Sequence, residues 1–134
     1  MVLSETPYLH VEYYAAHDVI VSQWYGRCTS QEYRGALSRF LHFVASMGIK
    51  HAIADRRLLP PLPPEDAQWT VNEYREEFRK LSLKRFAIIN SFDPAASEQL
   101  QHFLFNKRAP FPFEVKVFED LTSAYDWLIA VEAR

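Results

Sequence analysis

The stretch Tyr8-Leu9-His10-Val11-Glu12-Tyr13-Tyr14, followed after Ala15 to Asp18 by Val19-Ile20-Val21-Ser22-Gln23-Trp24-Tyr25, decides how the chain is read. In the first run Leu9, Val11 and Tyr13 alternate with His10, Glu12 and Tyr14, the period-two signature of a strand with one buried face. The second run is equally rich in strand-forming residues. The short polar break between them predicts an antiparallel hairpin that ends at Gly26. Beyond it, Thr29-Ser30-Gln31-Glu32 has the spacing of a capping box, with Thr29 as N-cap and Glu32 reaching back. Tyr33, Ala36, Leu37, Phe40, Leu41, Val44 and Met47 then recur at helical spacing, predicting an amphipathic helix of about five turns. Gly48 is placed to close it in a left-handed conformation.

Working outward from that helix, Ile49 to Asp55 predicts a short strand, and its position between two helices favours parallel pairing with both faces buried. Leu58 to Pro64 carries Pro60, Pro61, Pro63 and Pro64 and predicts an extended loop. Pro64, Glu65 and Asp66 suit a first helical turn, and Ala67, Val71, Tyr74, Phe78 and Leu81 mark the buried stripe of the helix behind them. Phe86 to Ile89 reads as a central strand. Asp93-Pro94 opens a shorter helix with Leu100, Phe103 and Leu104 inside. After the loop Asn106 to Pro112, Phe113 to Phe118 supplies a last strand, and Leu121, Ala124, Leu128 and Val131 mark a C-terminal helix. The order ββαβαβαβα predicts an α/β fold: a mostly parallel five-stranded sheet with an N-terminal antiparallel hairpin, right-handed crossovers and helices on both faces.

A length of 134 residues favours one domain over two, and 49% apolar with 24% charged residues excludes wholesale disorder. A formal charge of −2 lacks the basic excess of a dedicated nucleic-acid binder, and no nucleic-acid partner is expected. No segment approaches the roughly 18 apolar residues of a membrane span. The start of the chain lacks a secretory signal. With Cys28 the only cysteine, an internal disulfide and a cysteine-based metal cage are excluded, and a reducing, cytoplasmic setting is expected. The histidines His10, His17, His42, His51 and His102 contain no pair spaced for one helix face, and no metal or other cofactor is expected.

Several short motifs together resemble the SpoIIAA-like, or STAS-type, single-domain bacterial proteins. They are Trp24-Tyr25-Gly26, Glu32-Tyr33, Asp55-Arg56-Arg57, Trp69, Lys84-Arg85-Phe86-Ala87 and Ala124-Tyr125-Asp126-Trp127-Leu128. The likeness runs from about Tyr8 to Glu132 and rests mainly on fold-determining aromatic and apolar residues. It implies a regulatory or protein-interaction module without enzymatic turnover, self-associating as a homodimer. In the anti-sigma antagonist branch the phosphorylated Ser or Thr directly follows an Asp after the third strand. Here Arg56 follows Asp55, so the usual phosphorylatable hydroxyl is missing.

In a sheet of this kind ligands bind beyond the carboxyl ends of the parallel strands. Those ends are Trp24-Tyr25-Gly26, Asp55-Arg56-Arg57 and Asn90-Ser91-Phe92-Asp93, which together offer guanidinium groups, carboxylates, a hydroxyl and aromatic rings. Such a set suits an anionic or amphipathic ligand, with arginine making a two-point bond. It equally suits local structure, with Asp55 pairing to a neighbouring arginine or taking loop amides and Asp93 capping its helix. Trp69 lies off the helical stripe, which marks it either as a half-exposed anchor for a partner or apolar ligand, or as the residue that packs Leu59 and Leu62 of the proline loop onto the helix. In the first case the proline segment forms a lid over an apolar cavity for a small amphipathic or lipid-like ligand. Cys28, one residue before the N-cap, is either a thiol activated by the helix dipole, with His17 or His51 as base, or a small apolar filler. Glu65-Asp66 and Glu76-Glu77 suit solvated faces better than an acid–base couple. The basic residues Arg75, Arg79, Lys80, Lys84 and Arg85, and Lys107 and Arg108, suit helix ends better than a nucleic-acid patch.

Overall fold

The computed structural model describes residues 1–105 and 109–130. The elements are β1 (Val2–Glu5), β2 (Leu9–Tyr14), β3 (Val19–Trp24), α1 (Ser30–Met47), β4 (His51–Asp55), α2 (Pro64–Trp69), a π turn (Thr70–Tyr74), α3 (Arg75–Phe78), β5 (Arg85–Ile89), α4 (Pro94–Leu104), β6 (Glu114–Phe118) and α5 (Leu121–Ile129).

The strands form one six-stranded sheet in the order β1-β2-β3-β4-β5-β6. Pairings β1–β2 and β2–β3 are antiparallel, and β3–β4, β4–β5 and β5–β6 are parallel. The sheet is therefore mixed and six-stranded, where the sequence pattern predicts five strands, mostly parallel. The extra strand is β1, whose half-exposed V-L-S-E has no alternation of its own. An edge strand of this kind is specified by the ladder its neighbour offers, not by its own hydrophobic pattern. The Asp55 strand is accordingly the fourth.

Alternate residues of the central strands β3, β4 and β5 feed two separate cores, the first of which β2 joins. Leu9, Val11, Ile20, Ala52, Phe86 and Ile88 meet Tyr33, Phe40 and Val44 of α1, Tyr74 and Phe78, and Leu100 and Phe103 of α4. Val19, Val21, Ile53, Ala87 and Ile89 meet Ala124 and Leu128 of α5 on the opposite face. Helices thus cover both faces, as the continuous apolar strands require. Val131, part of the expected stripe of α5, lies outside the described residues, as do Asn106, Lys107 and Arg108.

The capping box at Thr29 forms in both directions: Glu32 N–H donates to Thr29 Oγ1 at 3.1 Å and Thr29 N–H to Glu32 Oε1 at 2.9 Å. Gly48 ends α1 with φ +63°. An L side chain there is strained, so Gly48→Ala is expected to lower stability by about 1 kcal/mol in urea unfolding without altering the fold.

The expected stripe of Ala67, Val71, Tyr74, Phe78 and Leu81 is corrected at both ends. The buried positions are Asp66, Thr70, Tyr74, Arg75 and Phe78, while Ala67 and Val71 are only half-buried and Leu81 lies beyond α3. Asp66 is drawn inward because it accepts from Ser30 Oγ at 2.7 Å and Arg34 Nε at 3.0 Å on α1. Thr70 follows, its hydroxyl donating to the Asp66 carbonyl at 2.7 Å. The Arg75 amide then reaches back to the Thr70 carbonyl, the five-residue bond of a π turn. Polar anchoring rather than apolar spacing sets this face.

Candidate functional site

Between the sheet and the α1, α3 and α4 side lies a cavity of about 60 Å³. Its walls are aromatic and aliphatic, with Trp24, Phe40, Tyr74, Phe78, Phe86 and Phe103 prominent, and Leu59 of the proline loop is part of them. Besides Tyr74 with its hydroxyl, four polar side chains line it: Ser22, Tyr33, Arg56 and Thr70. The hydroxyl of Ser22 leans on the Ile53 carbonyl at 3.4 Å.

Arg56 leaves the end of β4 with its backbone fixed at both sides. Its amide donates to the Ile89 carbonyl at 3.0 Å, and its carbonyl accepts from Leu59 N–H at 3.1 Å. The side chain turns into the cavity. Its Nε is sealed from solvent with no acceptor, and no carboxylate pairs with this guanidinium among the described residues. Burial pulls the group below the ordinary guanidinium range, with the neighbouring Tyr33 opposing. Burial likewise pushes the Tyr33 phenol up, against the pull of the Arg56 charge and the Thr70 hydrogen bond. The Tyr33 oxygen lies 2.7 Å from Thr70 Oγ1.

Arg57, the adjacent residue, behaves in the opposite way. Its Nε and Nη2 clasp Asp55 at 3.0 and 2.7 Å, and its amide adds a third bond at 3.2 Å. That clasp holds the Arg57 guanidinium above its ordinary range. Both local expectations for Asp55 therefore hold, a paired arginine and a loop amide. One of two neighbouring arginines is spent on structure, which leaves the other for the cavity.

The remaining strand-end residues divide by depth. Trp24 and Leu59, both buried, belong to the cavity. Tyr25, Asp55 and Arg57 line a shallow outer groove with Leu58 and Phe92. Ser91 and Asp93 shape the loop: Ser91 Oγ donates to the Leu59 carbonyl at 3.0 Å, and Asp93 caps α4 by accepting from Ala95 and Ala96 amides. Leu62 packs against the main core, with its amide and carbonyl both bonded to the Gln99 side chain at 2.8 and 2.9 Å. Trp69 is half-buried, stacked on Tyr74 at 5.8 Å and capped by Arg34 at 5.1 Å. Its edge also meets the Tyr33 ring at 6.2 Å, so its ring contacts run to α1 and to the π turn.

Tyr33, Thr70, Tyr74 and Phe78 were visible in sequence only as helix positions. The signal for the first two was a hydroxyl on an otherwise apolar face, which by itself does not tell a surface residue from a cavity-lining one.

Cys28 gives the opposite of an activated thiol. Burial, with Glu32 and Asp66 nearby, pushes it above the ordinary thiol range. The proposed bases are also misplaced: His51 pairs across from Val19 at the amino ends of β3 and β4, while Cys28 follows the carboxyl end of β3. His51 Nδ1 faces the carbonyls of His17 and Asp18 there. Labelling of Cys28 by iodoacetamide is expected to be slower at neutral pH than for a free cysteine and to keep rising past pH of about 9. A fast neutral-pH rate would contradict it.

Four of the five basic residues at 75–85 are also accounted for. Arg75 is buried, its Nε and Nη1 donating to the Phe103 and Ala109 carbonyls at 2.6 and 2.5 Å. Arg79 and Lys80 pair with Glu76 and Glu77, and Arg85 with Glu114. Among the described residues no three histidine, cysteine or acidic side chains gather as metal ligands, and no helix is long and apolar enough to cross a membrane.

No family model matches the sequence, and no curated protein does. Among solved structures, the chain is similar to an uncharacterised protein of the DUF3478 family with a SpoIIAA-like fold from Shewanella loihica PV-4. The two share 24% identity and a TM-score of 0.60, over 94% of this chain and 98% of that one. With its mixed six-stranded sheet and its helices on both faces, this chain has a SpoIIAA-like fold.

Proposed function

We propose that this protein is a binding module for a small amphipathic anion, acting without turnover. The anionic head pairs with Arg56 and the apolar part lies among the rings around it. The observation that carries this reading is a guanidinium turned into an apolar cavity with no acceptor for its sealed Nε. Arg56 as a residue is half-buried, so solvent offsets part of the desolvation cost that an unpaired charge bears in such surroundings. A carboxylate arriving in the cavity offsets that cost through a two-point, charge-assisted bond. The fold supplies rigidity, because the Arg56 backbone is tied to β5 and to the proline loop before any ligand arrives.

Calorimetric titration with acetate and with its neutral amide tests the reading. The carboxylate is expected to bind and the amide to bind at least tenfold more weakly, roughly the difference one charge-assisted hydrogen bond makes. Equal affinity, or no heat from either, removes it. Native mass spectrometry of gently purified protein adds a retained small acid as a further expected result.

A second reading, a STAS-like regulatory module that works through protein contact and self-association, is favoured by a separate feature. Tyr25, Leu58 and Phe92 are 48%, 55% and 72% exposed around the outer groove. Exposed apolar side chains gathered at one edge suit a protein partner. Sedimentation velocity across a wide concentration range tests self-association; a monomer throughout, unchanged by Phe92→Ser, counts against it.

A further inference from the structure

Hydrogen-bond accounting around the cavity specifies more than a charge. Thr70 has one hydroxyl proton, and it is committed to the Asp66 carbonyl at 2.7 Å, which has no proton to offer in return. Thr70 Oγ1 is therefore the acceptor in its 2.7 Å contact with Tyr33, and the Tyr33 proton is committed there. The relay runs from Tyr33 to Thr70 to the Asp66 backbone carbonyl in α2. Tyr33 is part of the cavity wall, and its oxygen has only lone pairs left to present. Arg56, beside it, is a donor and nothing else. One wall thus offers donors suited to an anion, and the Tyr33 oxygen offers an acceptor that an ordinary carboxylate leaves unmet.

From this pairing we infer that the ligand is a compact carboxylic acid with a hydroxyl on the carbon next to its carboxylate: Arg56 holds the carboxylate and Tyr33 accepts from the hydroxyl. This rests on the reading of the cavity as an anion site. Compactness follows from size. The cavity measures about 60 Å³, well below the roughly 150 Å³ of an apolar cavity that admits benzene. The Asp66 carbonyl is what fixes the relay's direction, because it can only accept.

The test uses acetate, glycolate and methoxyacetate, titrated by calorimetry into the full chain and into Tyr33→Phe and Thr70→Val. For the unaltered protein the hydroxy acid is expected to bind about tenfold more tightly than acetate, and the ether no better than acetate. Tyr33→Phe keeps the ring against Trp24 and Trp69 and is expected to bring the hydroxy acid down to the level of acetate. Thr70→Val frees the Tyr33 proton to turn toward the cavity, so the ether is expected to gain relative to acetate. Equal binding of hydroxy acid and acetate, or a hydroxyl preference that survives Tyr33→Phe, overturns the inference while leaving the anion site standing. Failure of every carboxylate to bind takes down the anion site and this inference with it. Should Tyr33→Phe not fold, the ranking in the unaltered protein and the Thr70→Val response decide the matter.

Discussion

Arg56→Met is expected to abolish carboxylate binding and at the same time to make the empty protein more stable. The two effects share one cause. The Arg56 guanidinium sits against apolar walls with Nε sealed and, among the described residues, no carboxylate to balance it, so the folded state bears a desolvation cost that methionine removes. Methionine also keeps the length of the side chain and follows an irregular apolar surface well. Replacing a buried ionic group by an apolar one of similar volume is commonly neutral to stabilising by about 1–4 kcal/mol. Binding moves the other way: loss of a two-point, charge-assisted contact is expected to weaken acetate by about a hundredfold or more. Urea unfolding and calorimetry on the same preparation check both signs. Saturating carboxylate is further expected to raise the melting temperature of the unaltered protein and to leave that of Arg56→Met in place, since only a state that binds is stabilised by mass action. A variant that loses stability instead would show Arg56 to be a structural residue like Arg57.

Phe78→Ala is expected to produce the largest loss of stability. Phe78 is 2% exposed, and its ring meets those of Phe40, Tyr74, Phe86, Phe103, Phe111 and Phe113 at centroid separations of 4.8 to 6.5 Å. Truncating a phenylalanine in such surroundings costs about 3–5 kcal/mol, part of it for the void left behind. Against a typical total of about 5–15 kcal/mol that is a large share, and the midpoint in urea should fall accordingly. Because Phe78 is also part of the cavity wall, the void adjoins the ligand space. Benzoate, too bulky for the native cavity, is expected to bind the variant and to recover part of the lost stability. A drop below 1 kcal/mol would mean that the neighbouring rings close over the gap.

Some elements were legible in the sequence for reasons local to them. The hairpin of β2 and β3, the capping box at Thr29, the left-handed Gly48 and the cap at Asp93 each depend on a few neighbouring residues, whose chemistry is complete within one turn. The alternation of strand residues between two cores was likewise implied, since apolar runs with no polar face must be covered on both sides. The α1 stripe was legible because every buried position on it is apolar.

By itself the sequence determined that a hairpin leads into helix-covered strands, and that Asp55, Arg56 and Arg57 stand where a strand ends. Only the tertiary structure decided which arginine is free. Arg57 meets Asp55 by reaching back two residues, while Arg56 faces a cavity whose walls come from strands and helices far apart in the chain. The same holds for β1, recruited by the open edge of β2, and for the buried face of α2, set by Asp66 bonding across to α1. Local patterns specify dihedral preference and which face is apolar. A polar group's partner is settled only when distant segments meet, because its desolvation cost depends on what the packed chain places beside it.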